Sequence, residues 1–306
     1  MQISKTTSSY FTLEKLSEGI YAAIAKEGEG AMSNSGFIDL GNEVIIFDTF
    51  TTPKAARDLR KLAEEITQKN IKYVFNSHYH GDHTFGNQVF EEELHMNKNV
   101  LLEHNKEKED TEHYLIQLKQ RMMIESDPIL LKSIDTQYKE VRKVCDSIPE
   151  LRIVLPNLTF EDKLVIHGSS RTVEFYCYGG GHTPSDAFLY LPEEKIAFMG
   201  DIVLENRHPP IYNSQDFIDN LTKVNQLDIQ TIIPGHGSIV TKEQINVMIQ
   251  YLEHLNWKVN SLLRKNKTFE QILSTVAPEE YAKWTGIDGY KRNLSIIYNE
   301  QKENLN

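Results

Sequence analysis

Apolar positions along the chain fall into two patterns: short β-like runs bounded by turn residues, and longer stretches at helical spacing. In the first quarter GIYAAIA (19–25), SGFIDL (35–40) and NEVIIFD (42–48) read as strands, the last two joined at Gly41 and Asn42 as a hairpin. Thr52 and Pro53 read as the N-cap and first position of a helix running through KAARDLRKLAEEITQ. The strand IKYVFN follows, completing a strand–helix–strand unit of the kind whose parallel strands carry functional residues at their carboxyl ends. Between Glu103 and Glu150 the composition turns charged, and Ile134, Tyr138, Val141, Val144 and Ile148 recur at helical spacing, predicting an inserted helical pair. From Arg152 strands return in RIVLP, LTF, KLVIHG, RTVEFYCY, AFLYLP and KIAFMG, and a helix near 215–226 and the strand IQTIIP close the second half. The two halves repeat a plan, a sheet followed by helices, without repeating sequence. Past Thr241 the chain reads as helical, with Thr241 and Gln244 spaced as a capping box.

Composition narrows the class. With 306 residues, 40% hydrophobic and 25% charged, the chain has globular proportions and length for a large core. No run reaches the ~18 apolar residues of a membrane span, so no membrane partner is expected. The start MQISKTTSSYFTLEKL lacks an apolar segment of secretory type, which gives a cytoplasmic expectation. A net charge of −11, from 44 acidic against 33 basic residues, opposes a polyphosphate, so nucleic acid is not an expected substrate. Cys145 and Cys177 stand in no metal-binding spacing and read as buried reduced thiols.

The chemistry concentrates at strand ends. NSHYHGDHTFGN (76–87) places three histidines and an aspartate within six positions directly after IKYVF. On extended backbone His78 and His80 project to the same side, and Gly81 lets the chain turn Asp82 and His83 back toward them. Imidazole and carboxylate converging at short range is metal-site chemistry. Three further candidates share that placement: His182 in YGGGHTPSD, Asp201 after KIAFMG, and His236 in IIPGHG. Any one of them alone reads as an ordinary loop residue. Together, five histidines and two aspartates suffice for two adjacent ions with an open position.

The spacing HxHxDH (His78, His80, Asp82, His83), followed by GHT (His182), GD (Asp201) and GH (His236), resembles the metallo-β-lactamase superfamily of binuclear hydrolases over about residues 19–240. The resemblance implies an α/β fold, a four-layer αββα sandwich, occupying residues 1–240 as a catalytic domain with a helical insertion at about 103–150. Residues 241–306 are expected to form a helical C-terminal extension packed on it. It also implies that His78, His80 and His182 hold one ion, that Asp82, His83 and His236 hold the other, and that Asp201 bridges them. Asp48, at the end of VIIFD, matches a family position expected to orient a ligand rather than bind metal; capping the following turn explains it nearly as well. The implied cofactors are two Zn2+ ions, with iron or manganese accepting the same donors. The implied enzyme is a metal-dependent hydrolase in which hydroxide held between two zinc ions attacks a small ester, thioester or lactone, with Asp82 orienting the nucleophile and passing a proton to the leaving group.

Departures from the pattern shape the substrate reading. Position 201 is Asp where the most familiar zinc β-lactamases place Cys, and Leu204 stands where they usually carry a Lys that anchors the drug's carboxylate. Arg207, with His208 and Tyr212 in the same segment IVLENRHPPIYN, is the candidate for substrate contact. Met122, Met123 and Ile124 in the insertion either face an apolar substrate portion or pack in a core. A β-lactamase-like amidase or a phosphodiesterase is the alternative within the family; a non-catalytic metal-binding interaction module is the alternative outside it. The expected partner is a small-molecule substrate. The C-terminal helices either cover the pocket or join a second copy as a homodimer, and the sequence leaves both open.

Overall fold

The computed structural model describes residues 8–91, 94–95 and 107–303, so the expected start of the insertion at Glu103 lies outside the described residues. The first half runs β1 (Phe11–Ser17), β2 (Ile20–Ala25), β3 (Ser35–Asp39), β4 (Val44–Phe47), α1 (Pro53–Thr67), β5 (Ile71–Phe75), the single turn α2 (Gly81–Thr84) and β6 (Leu94–His95). Helices α3 (Glu107–Met122) and α4 (Pro128–Ser147) follow. The second half runs β7 (Lys163–His167), β8 (Thr172–Tyr176), β9 (Phe188–Leu191), β10 (Ile196–Phe198), α5 (Ser214–Val224), β11 (Thr231–Ile233) and β12 (Val240–Thr241). Helices α6 (Glu243–Arg264), α7 (Phe269–Leu273) and α8 (Gly289–Glu303) complete the chain.

Strands β1 to β6 form one sheet in sequence order and β12 to β7 form the other in reverse order. The period of two along each strand builds four layers from two sheets. In β4, Ile45 and Phe47 enter the core between the sheets while Val44 and Ile46 face α1. In β9, Leu189 and Leu191 enter that same core while Phe188 and Tyr190 face the helices on the far side. The outer core of the first sheet is closed by Ala55, Ala56, Leu59, Leu62 and Ala63 of α1. The outer core of the second is closed by Phe217 and Leu221 of α5, Met248 and Leu255 of α6, and Leu294 and Ile297 of α8. The architecture is an αββα sandwich with a helical C-terminal segment. No helix among the described residues is long and apolar enough to cross a membrane.

Local expectations resolve in both directions. Strands β3 and β4 pair antiparallel, β4 and β5 pair parallel, and Thr52 caps α1 by accepting the Ala55 N–H. The strands expected at RIVLP and LTF do not form: between Glu150 and β7 the chain is irregular, held by Leu151 and Val154 as isolated buried anchors. Pro156 there withholds one backbone donor. Strand β1 went unread because FTLEKLS pairs only one edge and buries few of its residues. At α6 the cap is Lys242 without a side-chain bond, and Gln244 donates instead to the Leu204 carbonyl, so the capping box expected at Thr241 is absent. A capping box does occur at Thr268 and Gln271, where both reciprocal bonds form. Met123 and Ile124 are 81% and 84% exposed, whereas Met122 packs with Leu118 and Ile134 between α3 and α4.

Candidate metal centre

All seven candidate ligands leave the carboxyl ends of strands on one edge of the sandwich. His78 and His80 follow β5, Asp82 and His83 ride on α2, His182 follows β8, Asp201 follows β10, and His236 follows β11. The parallel pairings of β4 with β5 and of β10 with β11 put these ends side by side. Two glycines let the halves meet there. Gly200 adopts φ +51° with Ser77 against its α-carbon, and a side chain on Gly235 would strike the Asp201 carboxylate.

The ligand atoms gather in two groups, His78, His80, His182 and Asp201 in one, and Asp82, His83 and His236 in the other; within each, the atoms lie within 4.8 Å of one another. His80 Nδ1 stands 3.0 Å from both His78 Nε2 and His182 Nε2. Asp201 faces both groups: Oδ2 is 3.2 Å from His182 Nε2, while Oδ1 is 3.2 Å from His83 Nε2 and 3.4 Å from His236 Nε2. Asp82 Oδ2 lies 3.1 Å from His236 Nε2 and 3.7 Å from His83 Nε2. Donors bound at ~2.0–2.1 Å to a tetrahedral ion stand about 3.3 Å apart, the spacing seen here. His83 Nε2 and Asp201 Oδ1 are buried without a hydrogen-bond partner. Buried orphan polar atoms are costly unless something absent from the protein itself satisfies them, and a cation satisfies both. The donor set therefore fits divalent metal.

Four of the five imidazoles are turned toward their groups by a partner on the other nitrogen. His83 Nδ1–H donates to Asp48 Oδ2 at 2.7 Å, His182 Nδ1–H to the Pro210 carbonyl at 3.0 Å, and His236 Nδ1–H to the Met32 carbonyl at 3.0 Å. His78 Nδ1 meets Ser77 Oγ at 2.9 Å, and that hydroxyl donates to Asp48 Oδ2 at 2.8 Å. Each bond leaves the lone pair on Nε2. Asp48 thus belongs to neither ligand group, yet it orients one histidine directly and a second through Ser77. Its backbone stands at φ +57°, a left-handed conformation held by the Ser35 hydroxyl on its carbonyl and by its own N–H donating to Phe75.

The electrostatics of the protein alone divide the site. Burial, reinforced by neighbouring imidazoles, drives His78 well below the usual histidine range; burial likewise lowers His80 and takes His182 down to about 3. Burial would lower His83 too, but the Asp48, Asp201 and Asp82 carboxylates outweigh it and raise its proton affinity. For Asp82, burial is outweighed by His83 and His236, and its carboxyl is held below the ordinary range. Asp201 is held well below that range by His236, His83 and His182, against its burial. His78, His80 and His182 are thus neutral and both carboxylates ionised, as a cation requires, whereas at His83 and His236 the carboxylates raise the proton affinity and an ion has to displace that proton.

The three substrate candidates scatter. Arg207 is half-buried on the wall of a cleft of 460 Å³ whose lining also includes Met32, Gly237, Ser238 and Lys283. It has no hydrogen-bond or ion-pair partner among the described residues, and its charge, like burial, opposes without overcoming the Asp201 and Asp82 carboxylates that raise the proton affinity of His236. The His208 ring turns away, 6% exposed, bonding Tyr251 Oη at 2.9 Å amid Trp284 and Tyr290. Tyr212 is 59% exposed. Leu204 is buried in the outer core of the second sheet, where it bridges to His236 through backbone only. Asp186 was missed by sequence reasoning: its carboxylate accepts the N–H of His182 and both the N–H and hydroxyl of Thr183, shaping the turn that delivers His182. TPSD carried a faint turn signal for it. The Met32 and Pro210 carbonyls carried none, because every residue has one.

Among known proteins, a Caenorhabditis elegans relative described as Beta-lactamase-like protein 2 homolog is 22% identical over 268 residues, covering 86% of this chain and 76% of its own. The Metallo-beta-lactamase type 2 of Bacteroides fragilis is 28% identical over 119 residues, 35% of this chain and 48% of its own. A metallo-beta-lactamase from Pontibacter korlensis superposes with a TM-score of 0.58 at 14% identity, covering 79% of this chain and 99% of its own. A stereoselective inverting sec-alkylsulfatase from Pseudomonas sp. superposes at 0.67 with 18% identity over 97% of this chain. The present chain spans 52% of that enzyme's length. Identities this low between solved structures speak for a shared fold. With two sheets sandwiched between helices, two groups of metal-competent side chains at their edge, and the model of the metallo-beta-lactamase superfamily matching residues 28–236, the chain belongs to that superfamily.

Proposed function

We propose that this protein is a binuclear metal-dependent hydrolase acting on a small ester, thioester or lactone. The observation that carries the reading is Asp201, whose two oxygens face different ligand groups, as a carboxylate shared between two ions must. When bound, two divalent ions, zinc in this reading, lower the pKa of water toward neutrality and polarise a substrate carbonyl. The protein's own part is to hold that pair rigidly and to handle the substrate. Asp82 is the most solvent-accessible carboxylate of the site, with 16% side-chain exposure against 6% for Asp201, so it is the one placed to accept a proton from the nucleophile and return it to the leaving group. The cleft beside Met32 and Gly237 is lined by none of the seven candidate ligands but adjoins His236 through those two residues, and it has the volume of a small-molecule site. Arg207 on its wall, a cation with no ion-pair partner among the described residues, suits a substrate bearing an anionic group. This supports a small anionic acyl substrate despite the chain's net charge of −11.

The test is metal analysis of the purified protein followed by turnover of a panel of thioester, lactone, simple ester, lactam, phosphodiester and sec-alkyl sulfate compounds. The expected result is two ions per chain and turnover concentrated in the ester, thioester and lactone arms. Asp82→Ala is expected to lower that turnover at least ~100-fold with an unchanged circular dichroism spectrum. Turnover confined to lactams or phosphodiesters moves the assignment to those bonds. No turnover in any arm, with metal-dependent capture of a partner, replaces the enzyme with a binding module.

A further inference from the structure

We infer that Glu140, on the inserted helix α4, is a positioning residue for the Asp82–His83–His236 half of the metal centre, acting through the loop 28–34. The inference rests on the two-group reading of the site. Helix α4 supplies no metal ligand, yet it buries a carboxylate: Glu140 is 4% exposed. Carboxylates are almost never buried without a cation. Here the partners are two backbone amides, Gly28 N–H at 2.6 Å and Gly30 N–H at 3.0 Å. Burial raises the proton affinity of this group, to about 7, against the pull of those two bonds. A group so disfavoured by its surroundings has to be explained by what it holds.

What it holds is a loop of unusual backbone. Gly28, Gly30 and Met32 all have left-handed φ, at 77°, 96° and 66°, a conformation that a side-chain residue such as Met32 adopts only when its neighbours enforce it. Glu140 pins the amides of this loop while the Thr52 hydroxyl donates to the Gly30 carbonyl and the Thr51 N–H to that of Ala31. The next residues reach the metal centre. The Met32 carbonyl accepts from His236 Nδ1–H at 3.0 Å, and the Ser33 hydroxyl donates to the Asp82 carbonyl at 2.5 Å. The Asn34 side chain donates to the carbonyls of Pro234 at 2.9 Å and Gly237 at 2.8 Å, on either side of His236. Every one of these bonds serves Asp82 or His236. In the other group His78 and His182 are oriented by Ser77 and Pro210, to which loop 28–34 makes no hydrogen bond among the described residues. Releasing the loop should therefore disturb one ion site and spare its neighbour.

The experiment titrates Zn2+ into the metal-free full-length chain against a chromogenic chelator, for wild type, Glu140→Ala and Glu140→Gln. The step lost in His236→Ala identifies the affected site. For Glu140→Ala that step is expected to weaken about 10- to 100-fold, the usual cost of removing an outer support, while the other stays within about threefold. Glu140→Gln keeps one carbonyl oxygen for one of the two amides and is expected to fall between. A role confined to packing α4 would lower the melting temperature and leave both steps in place or shift them equally; that outcome overturns the inference. Should Glu140→Ala not fold, Glu140→Gln is judged by the same criterion. A wild type that binds a single ion overturns the two-group reading and this inference with it, an outcome visible before any variant is measured.

Discussion

Asp48→Asn exchanges one carboxylate oxygen for an amide nitrogen without changing shape, at a position with no solvent exposure. The carboxylate accepts three bonds: Ser77 N–H at 2.7 Å on Oδ1, and the Ser77 hydroxyl at 2.8 Å and His83 Nδ1–H at 2.7 Å on Oδ2. Asparagine can fill only one of those seats with an acceptor. If its NH2 takes the Oδ1 seat, it faces the Ser77 amide, and a buried donor stays unpaired at a cost of roughly 1–3 kcal/mol. If it takes the Oδ2 seat, it faces His83 Nδ1–H, and the imidazole escapes by moving its proton to Nε2. That move blocks the lone pair directed at Asp201 and at the Asp82–His83–His236 group. Loss of an outer partner of this kind lowers metal affinity about 10- to 100-fold, which is about 1.4–2.7 kcal/mol. Two measurements separate the branches: urea unfolding in excess chelator reads the first, and competition titration of Zn2+ reads the second. The expected result is a loss in at least one, with turnover falling alongside metal content. Variant and wild type agreeing within error in both would refute the claim that Asp48 supports the site through Ser77 and His83.

Arg207→Ala is expected to raise KM about tenfold or more for a substrate carrying a carboxylate, with little change for its uncharged analogue, since a charge-assisted bond contributes roughly 1.5–3 kcal/mol; equal effects on both substrates remove Arg207 from substrate binding. His208 gives a pH prediction. Burial, assisted by the charge of Arg292, lowers its proton affinity to about 4, whereas the unfolded chain keeps the ordinary value of about 6.5. Between those values the unfolded state takes up a proton that the folded state refuses, so stability is intact above about 6.5 and falls as pH drops toward about 4, by up to about 3 kcal/mol. Urea midpoints across this window should fall more steeply for wild type than for His208→Gln, and parallel curves would show that His208 already ionises in the fold.

The candidate ligands stood out in sequence because metal chemistry is written in side-chain identity and because strand ends are local. IKYVF ahead of NSHYHGDH, and glycine beside His182, Asp201 and His236, needed nothing distant to be recognised, and the unbroken apolar runs VIIF and FLYL read as strands from their own residues. Tertiary structure alone decided the rest. That Asp201 presents one oxygen to each group follows from β10 and β11 lying parallel across a sheet edge from β5, a relation between residues more than a hundred positions apart. The tautomers of His182 and His236 are set by the carbonyls of Pro210 and Met32, and a carbonyl has no letter of its own. His208 and Arg207 are neighbours in one loop, yet the aromatic cluster of Tyr251, Trp284 and Tyr290 claims the imidazole and leaves the guanidinium to the cleft. Which way a side chain turns is chosen by what packs against it, and those partners come from the far end of the chain.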